Sequence, residues 1–249
     1  DNLDIKSFPL AIGLPIAGFI QLGFIYFYLL KFKLINKNFI NLFVIKRATF
    51  IKHSKNLKLT LSRFFPALLG GGVYQINILV DTLLASIVGV GAVSFLYYSD
   101  RIIQLPIGIV GVALGIALLS SLSRPKVLKS ITQTSIQFEK AIKISIYFSI
   151  PSMFVLIFFP EIIINSIFQR GYFDIFASKQ TILSLICYSF GIPFFIISKS
   201  CQSLFLASGA TKKIMLIAIF QLIINILFSL ILMRHLSHGG IALATSIAT

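Results

Sequence analysis

Asp81 is the only acid in an apolar run from Phe64 to Val88, and Arg101 lies inside another from Val93 to Leu119. An ionisable group held in hydrocarbon is costly, so each is a candidate for binding an ion or a charged substrate. Arg101 sits about eight residues into its run, on the order of 12 Å below its start at the helical rise, which is deep for snorkelling. Helical spacing lines up partners around both residues. Tyr74, Asn77, Asp81 and Ala85 form one stripe, and Asp100, Gln104, Gly108, Gly111 and Gly115 form another, with Tyr97 and Arg101 beside it. Glycines on such a stripe allow either close helix packing or room for a ligand. Ser184, Tyr188, Gly191, Ser198, Lys199 and Gln202 fall close to a third face; Lys199 is near the end of its run, where snorkelling competes with function. Gln221, Asn225 and Ser229 recur at every fourth position, as interhelical glue or as ligands.

Enzymatic chemistry finds little support. The sequence has no HExxH, no carboxylate pair at a membrane face and no Walker A motif. His235 and His238 form an HxxH without a neighbouring carboxylate, a weak metal signal. Cys187 and Cys201 would stand about 21 Å apart along one helix, beyond disulfide reach, and read as packing residues.

The elements that must hold these groups follow from composition. Of 249 residues, 57% are hydrophobic and 12% charged, with a mean hydropathy of +0.96. Seven acids cannot cover a water-soluble globule of this size. Apolar runs extend over Phe8–Leu30, Phe64–Val88, Val93–Leu119, Ala141–Phe159, Ile182–Ala207 and Ile214–Met233, and another begins near Gly239. This predicts an all-α, polytopic transmembrane bundle with about six complete spans and a truncated seventh. The chain opens with Asp1 and ends at Thr249 within an apolar run, as expected of a piece of a longer polypeptide.

The net charge of +15 would suggest nucleic acid in a soluble protein, but the charges are placed otherwise. Lys31 to Arg63 holds basic residues and no acid; Gly89–Ala92 is uncharged; Arg124 to Lys143 is basic again. Glu161 to Lys179 is mixed, and Lys212 and Lys213 sit in a tight turn. Basic density thus alternates, which puts the first, third and fifth connections in the cytoplasm and excludes a nucleic-acid partner. Phe39–Lys58 interleaves apolar and basic residues, as in an interfacial amphipathic helix or a basic tether.

Three segments then carry a resemblance. Tyr97-Tyr98-Ser99-Asp100-Arg101-Ile102-Ile103-Gln104-Leu105-Pro106, with Gly108, Gly111-Val112-Ala113 and Leu118 to Arg124, closely resembles a signature of the MurJ/MviN family of bacterial lipid II flippases. Phe65-Pro66-Ala67-Leu68-Leu69-Gly70 and Gln75 to Ser86 look like the family's preceding helix, and Ile167 to Asp174 is similar to its LF-x-R-G-x-F-D loop. Order and spacing agree over about residues 60–249. The resemblance implies the multidrug/oligosaccharidyl-lipid/polysaccharide (MOP) exporter fold, two six-helix lobes followed by two further helices. On that map residues 1–33 are the sixth helix, 34–60 a basic cytoplasmic loop, and 61–249 most of the C-terminal lobe.

It further implies a monomeric, multi-pass protein of the bacterial cytoplasmic membrane, serving peptidoglycan synthesis and cell shape. Its partners would be the phospholipid bilayer and lipid II, the undecaprenyl-pyrophosphate-linked disaccharide peptide. Arg101 matches an arginine of the family's cationic cavity, and Asp100, Gln104 and Lys199 are expected beside it in substrate binding. Asp81, Gln221, Asn225 and Thr245 match the family's sodium site; no other cofactor is expected. This chain has amides at Gln221 and Asn225 where a sodium-binding relative has an additional carboxylate, Gln104 where relatives often have Glu, and Ser120 for the usual proline. The competing expectations are a cation-coupled multidrug exporter or a flippase for another polyprenyl-linked oligosaccharide.

Overall fold

Backbone N–H and C=O groups in hydrocarbon find no water, so a chain of apolar runs must satisfy them within helices. The computed structural model describes residues 2–32, 54–124 and 130–249, and its elements are all helical. They are α1 (Asn2–Lys31), α2 (Ser54–Val88), α3 (Ala92–Pro106), a π-helical stretch (Ile107–Val112), α4 (Ala113–Leu122), α5 (Ile131–Phe158), α6 (Pro160–Phe168), α7 (Ile175–Ser189), α8 (Ile192–Ala207), α9 (Thr211–Leu236) and α10 (His238–Ala248). The expected all-α membrane bundle is what forms. Most of the Phe39–Lys58 segment lies outside the described residues.

Among the described residues, four stretches are long and apolar enough to cross a bilayer: Phe64–Val88, Ala92–Leu122, Ile131–Phe158 and Thr211–Leu236. The run expected as one span over Ile182–Ala207 is two helices, α7 and α8, meeting at a 47° bend. Pro193 stands in the first turn of α8, where its missing N–H breaks the helical ladder. Pro106 acts similarly in the third run, and the π-helical stretch with Gly108 and Gly111 follows it directly. At α5 the helix begins ten residues before the expected run, because Ser130 caps it by accepting from the Gln133 amide at 3.4 Å. The short α6, started by Pro160, fills part of a connection in which no element was expected.

The chain divides into two compact units, Asp1–Lys58 and Leu59–Thr249. In the first, α1 carries a ladder of Phe24, Tyr28 and Phe32 with ring centroids 5.0 and 6.1 Å apart. In the second, α7 packs against α3, α6 and α10, while α8 packs against α4, α5 and the π-helical stretch. Leu96, Ile103, Leu185, Ile192, Ile196 and Ile241 form its apolar core. Small polar residues seal the seams: Ser99 donates to Thr181 O at 2.9 Å, Ser203 to Gly115 O at 2.8 Å, and Ser246 to Cys187 O at 2.9 Å. Such side chains let backbones approach and tie helices together where the hydrophobic effect cannot.

Candidate functional site

The stripe on α2 meets α9 and α10 at Asp81. Asp81 Oδ2 accepts from Asn77 Nδ2, one turn earlier, at 3.2 Å and from Thr245 Oγ1 at 3.2 Å. Thr245 Oγ1 in turn accepts from Asn225 Nδ2 at 3.0 Å. Three acceptor oxygens in this cluster are buried and unpartnered: Asn77 Oδ1, Asp81 Oδ1 and Asn225 Oδ1. A lone buried orphan is already costly. One carboxylate oxygen, two amide oxygens and a hydroxyl fit a hard monovalent cation, which takes oxygen ligands. Gln221 stands one turn away from Asn225 and bonds Thr249 Oγ1 at 3.4 Å, so it joins the same helix seam but not the Asp81 carboxylate.

A second polar region lies open on α3. The exposed Arg101 guanidinium sits 4.6 Å over the Tyr97 ring, and its Nη1 donates to Gln104 Oε1 at 3.3 Å. Gln104 Nε2 donates to the Asp100 carboxylate. Neighbours one turn before and one turn after therefore hold Arg101, and most of its five N–H donors stay uncommitted. Among the described residues the single ion pair is Lys143–Glu139 on α5, so no salt bridge neutralises Arg101 or Asp81. Asp81 forms no buried pair with Lys199 or Arg101.

Lys199 stands apart from this trio. Its stem packs where side chains at Gly111 and Gly115 would begin, and its Nζ is 6.0 Å from the Tyr74 centroid. Gly111 is ten residues beyond Arg101, about 15 Å along a helix. The glycines on this stripe differ in their surroundings. Gly111 and Gly115 admit α8 closely, whereas Gly108 has nothing within 4 Å of an added Cβ.

The histidine pair is not brought together as a ligand set. His238 is buried, with Nε2 3.0 Å from Gln180 O and its ring 5.4 Å from Phe95, while His235 is exposed. No cluster of three or more His, Cys, Asp or Glu able to hold a metal occurs among the described residues. Both cysteines are free, on separate helices. Asn77 is the ligand candidate that sequence reasoning left on the stripe without a role; its i, i+4 spacing to Asp81 was the available signal.

A family model described as lipid II flippase MurJ matches residues 2–249. A probable lipid II flippase MurJ of Rickettsia prowazekii is 33% identical over 98% of this chain and 46% of its own length. Its counterpart in Vibrio cholerae is 28% identical over 99% of this chain and 45% of its own. The chain thus spans about half the length of the curated relatives it matches. A solved lipid II flippase MurJ in an inward closed conformation superposes with a TM-score of 0.69 at 33% identity, covering 80% of this chain and 41% of that one. An outward-facing multidrug MATE transporter of the MOP superfamily shares the fold, with a TM-score of 0.65 at 15% identity over 74% of this chain and 40% of that one. The transmembrane bundle around Asp81 and Arg101 belongs to the lipid II flippase MurJ family.

Proposed function

We propose that the complete protein moves lipid II across the bacterial cytoplasmic membrane by alternating access, without making or breaking a bond, and works as a monomer. The observation that carries this reading is Arg101: a cation exposed on a membrane-spanning helix, aligned by Tyr97 and Gln104 and unpaired with any described acid. A guanidinium keeps its charge in any surroundings and grips phosphate oxygens bidentately, which suits a pyrophosphate-linked headgroup. Asp100 and Gln104 fix the Arg101 fork, and Lys199 adds a second, more flexible cation deeper in the span. The family's names and the likeness to a solved lipid II flippase support this substrate class.

Asp81, Asn77, Asn225 and Thr245 would hold a sodium ion, with Gln221 supporting the α9–α10 seam one turn away. When bound, such an ion would neutralise Asp81 and tie α2 to α9 and α10. The same cluster favours a second reading, a cation-coupled exporter of drugs or of another polyprenyl-linked oligosaccharide.

Reconstitution of the complete protein in vesicles separates these readings. The expected result is outward movement of lipid II that neither cationic drugs nor other polyprenyl-linked oligosaccharides compete away. Transport of a drug or another oligosaccharide, with lipid II left in place, overturns the proposal.

A further inference from the structure

A lysine near the end of an apolar helix ordinarily sends its ammonium toward the nearer water. Lys199 of α8 does the opposite. The π-helical stretch with α4 runs beside α8 in the same direction, Gly111 facing Ile196 and Gly115 facing Ser203. The Lys199 Cβ is 3.9 Å from where a Cβ on Gly115 would stand, and its Cγ is 3.6 Å from the corresponding point on Gly111, one turn earlier. The stem therefore climbs away from the C-terminal end of α8, which leads to Lys212 and Lys213, and toward the level of Arg101.

The ammonium ends 6.0 Å from the centroid of the exposed Tyr74 ring on α2. Tyr74 also lies within electrostatic reach of Asp100 on α3, and Asp100 is joined through Gln104 to Arg101. The two cations thus border one polar face. Gly108 stands between them on the α3 stripe, exposed and with nothing within 4 Å of an added Cβ, so the intervening surface is open. Lys199 is half-buried and forms no ion pair among the described residues. An ammonium held in an apolar bundle without a counter-charge is costly, and an arriving anion removes that cost.

Distance decides which anion. Gly111, the level that the Lys199 stem reaches, is about 15 Å along the helix from Arg101. Both side chains lean toward the N-terminal ends of parallel helices, so the charges keep a separation of that order. The two phosphates of a pyrophosphate share one bridging oxygen and cannot touch both cations at once. The gap equals about four residues of extended chain, a length that a disaccharide carrying a peptide covers. Sugar hydroxyls are neutral, whereas a peptide offers carboxylates, and an ammonium has three rotatable donors with which to meet one. We propose that Lys199 receives a carboxylate of the substrate's peptide while Arg101 holds its pyrophosphate, an inference that rests on the lipid II reading and extends it from the phosphates to the peptide.

The test uses the complete protein in nanodiscs and three ligands that share one polyprenyl-pyrophosphate disaccharide. The first carries the peptide with free carboxylates, the second the same peptide with every carboxylate amidated, and the third no peptide. On the unmodified protein the first is expected to bind about tenfold more tightly than the second, a difference of about 1.4 kcal/mol. Lys199→Gln should erase that preference and leave binding of the third ligand unchanged, while Lys199→Arg should keep most of it. Arg101→Ala should weaken all three ligands alike. Melting temperatures establish that each variant is compared as folded protein, and the first two ligands test the charge on the unmodified protein without any substitution. Lipid II translocation is measured in parallel. Equal binding of the first two ligands, with lipid II still translocated, overturns the carboxylate subsite and leaves the function standing. A preference that survives Lys199→Gln also overturns it, as does an equal loss of all three ligands in that variant. A preference erased by Lys199→Gln, without translocation of lipid II by the unmodified protein, supports the subsite and overturns the lipid II reading instead.

Discussion

The open trio on α3 and the closed cluster around Asp81 are both polar groups set in apolar helices, yet they are finished in opposite ways. Around Arg101 the protein supplies an aromatic face and an amide from the same helix, and leaves the guanidinium exposed. Around Asp81 it brings three helices together, half-buries the group, and leaves buried acceptor oxygens without donors. The difference shows how position decides use. A donor-rich cation left accessible suits a bulky anion that must arrive and leave. An acceptor-rich pocket shut between helices suits a small cation that becomes part of the packing.

The largest effect should come from Arg101→Ala. Losing a bidentate, charge-assisted contact worth about 3 kcal/mol should slow lipid II translocation by about 10²-fold or more. Because the side chain is exposed, melting temperature should barely move. Arg101→Lys should recover only part of the rate, since a point charge lacks the planar fork. Full-rate transport by the alanine variant in vesicles would remove the distinction between the two regions.

An intermediate effect belongs to Asp81→Asn. If a sodium ion is held there, the unmodified protein should melt higher in sodium chloride than in choline chloride. Ligand at about tenfold over its Kd stabilises by about 1.4 kcal/mol. The Asn variant should lose that difference while Arg101-dependent binding of a pyrophosphate lipid persists. Equal melting of the unmodified protein in both salts would show that the orphaned oxygens serve packing alone.

The smallest change is expected for Thr245→Val, which removes the hydroxyl linking Asp81 and Asn225 but keeps the shape. Interhelical hydrogen bonds in membranes average about 0.6 kcal/mol, so a loss near that size should appear in denaturant titration. A loss of several kcal/mol would mean that the closed cluster is a structural keystone and not an ion pocket.

Periodicity made much of this legible. Helical repeats placed Asp81 and Arg101 on polar stripes, and apolar runs marked the membrane helices. The Thr245–Asp81 contact spans 164 positions, and no local pattern carries such information; only the family resemblance pointed to it. The break between α7 and α8 was hidden because Gly191 and Pro193 are both tolerated in membrane helices. Beside the missing Pro193 N–H the break has a tertiary part: Ser246 of α10 donates to the Cys187 and Tyr188 carbonyls at 2.9 and 3.2 Å. The short α6 is illegible for a different reason, since nine residues that open on a proline offer too little periodicity to read.

Two irregularities described separately occur side by side. The π-helical stretch Ile107–Val112 packs against α8, with Gly111 facing Ile196 and Lys199, only a few residues past the bend at Gly191. Above this level α3 and α7 share one seam; below it α4 and α8 share another. The α3–α4 and α7–α8 halves of the bundle are therefore built in two storeys, with both ladders interrupted between them. Tilting one storey against the other would bend two neighbouring helices where their ladders are already interrupted, and would leave both seams closed.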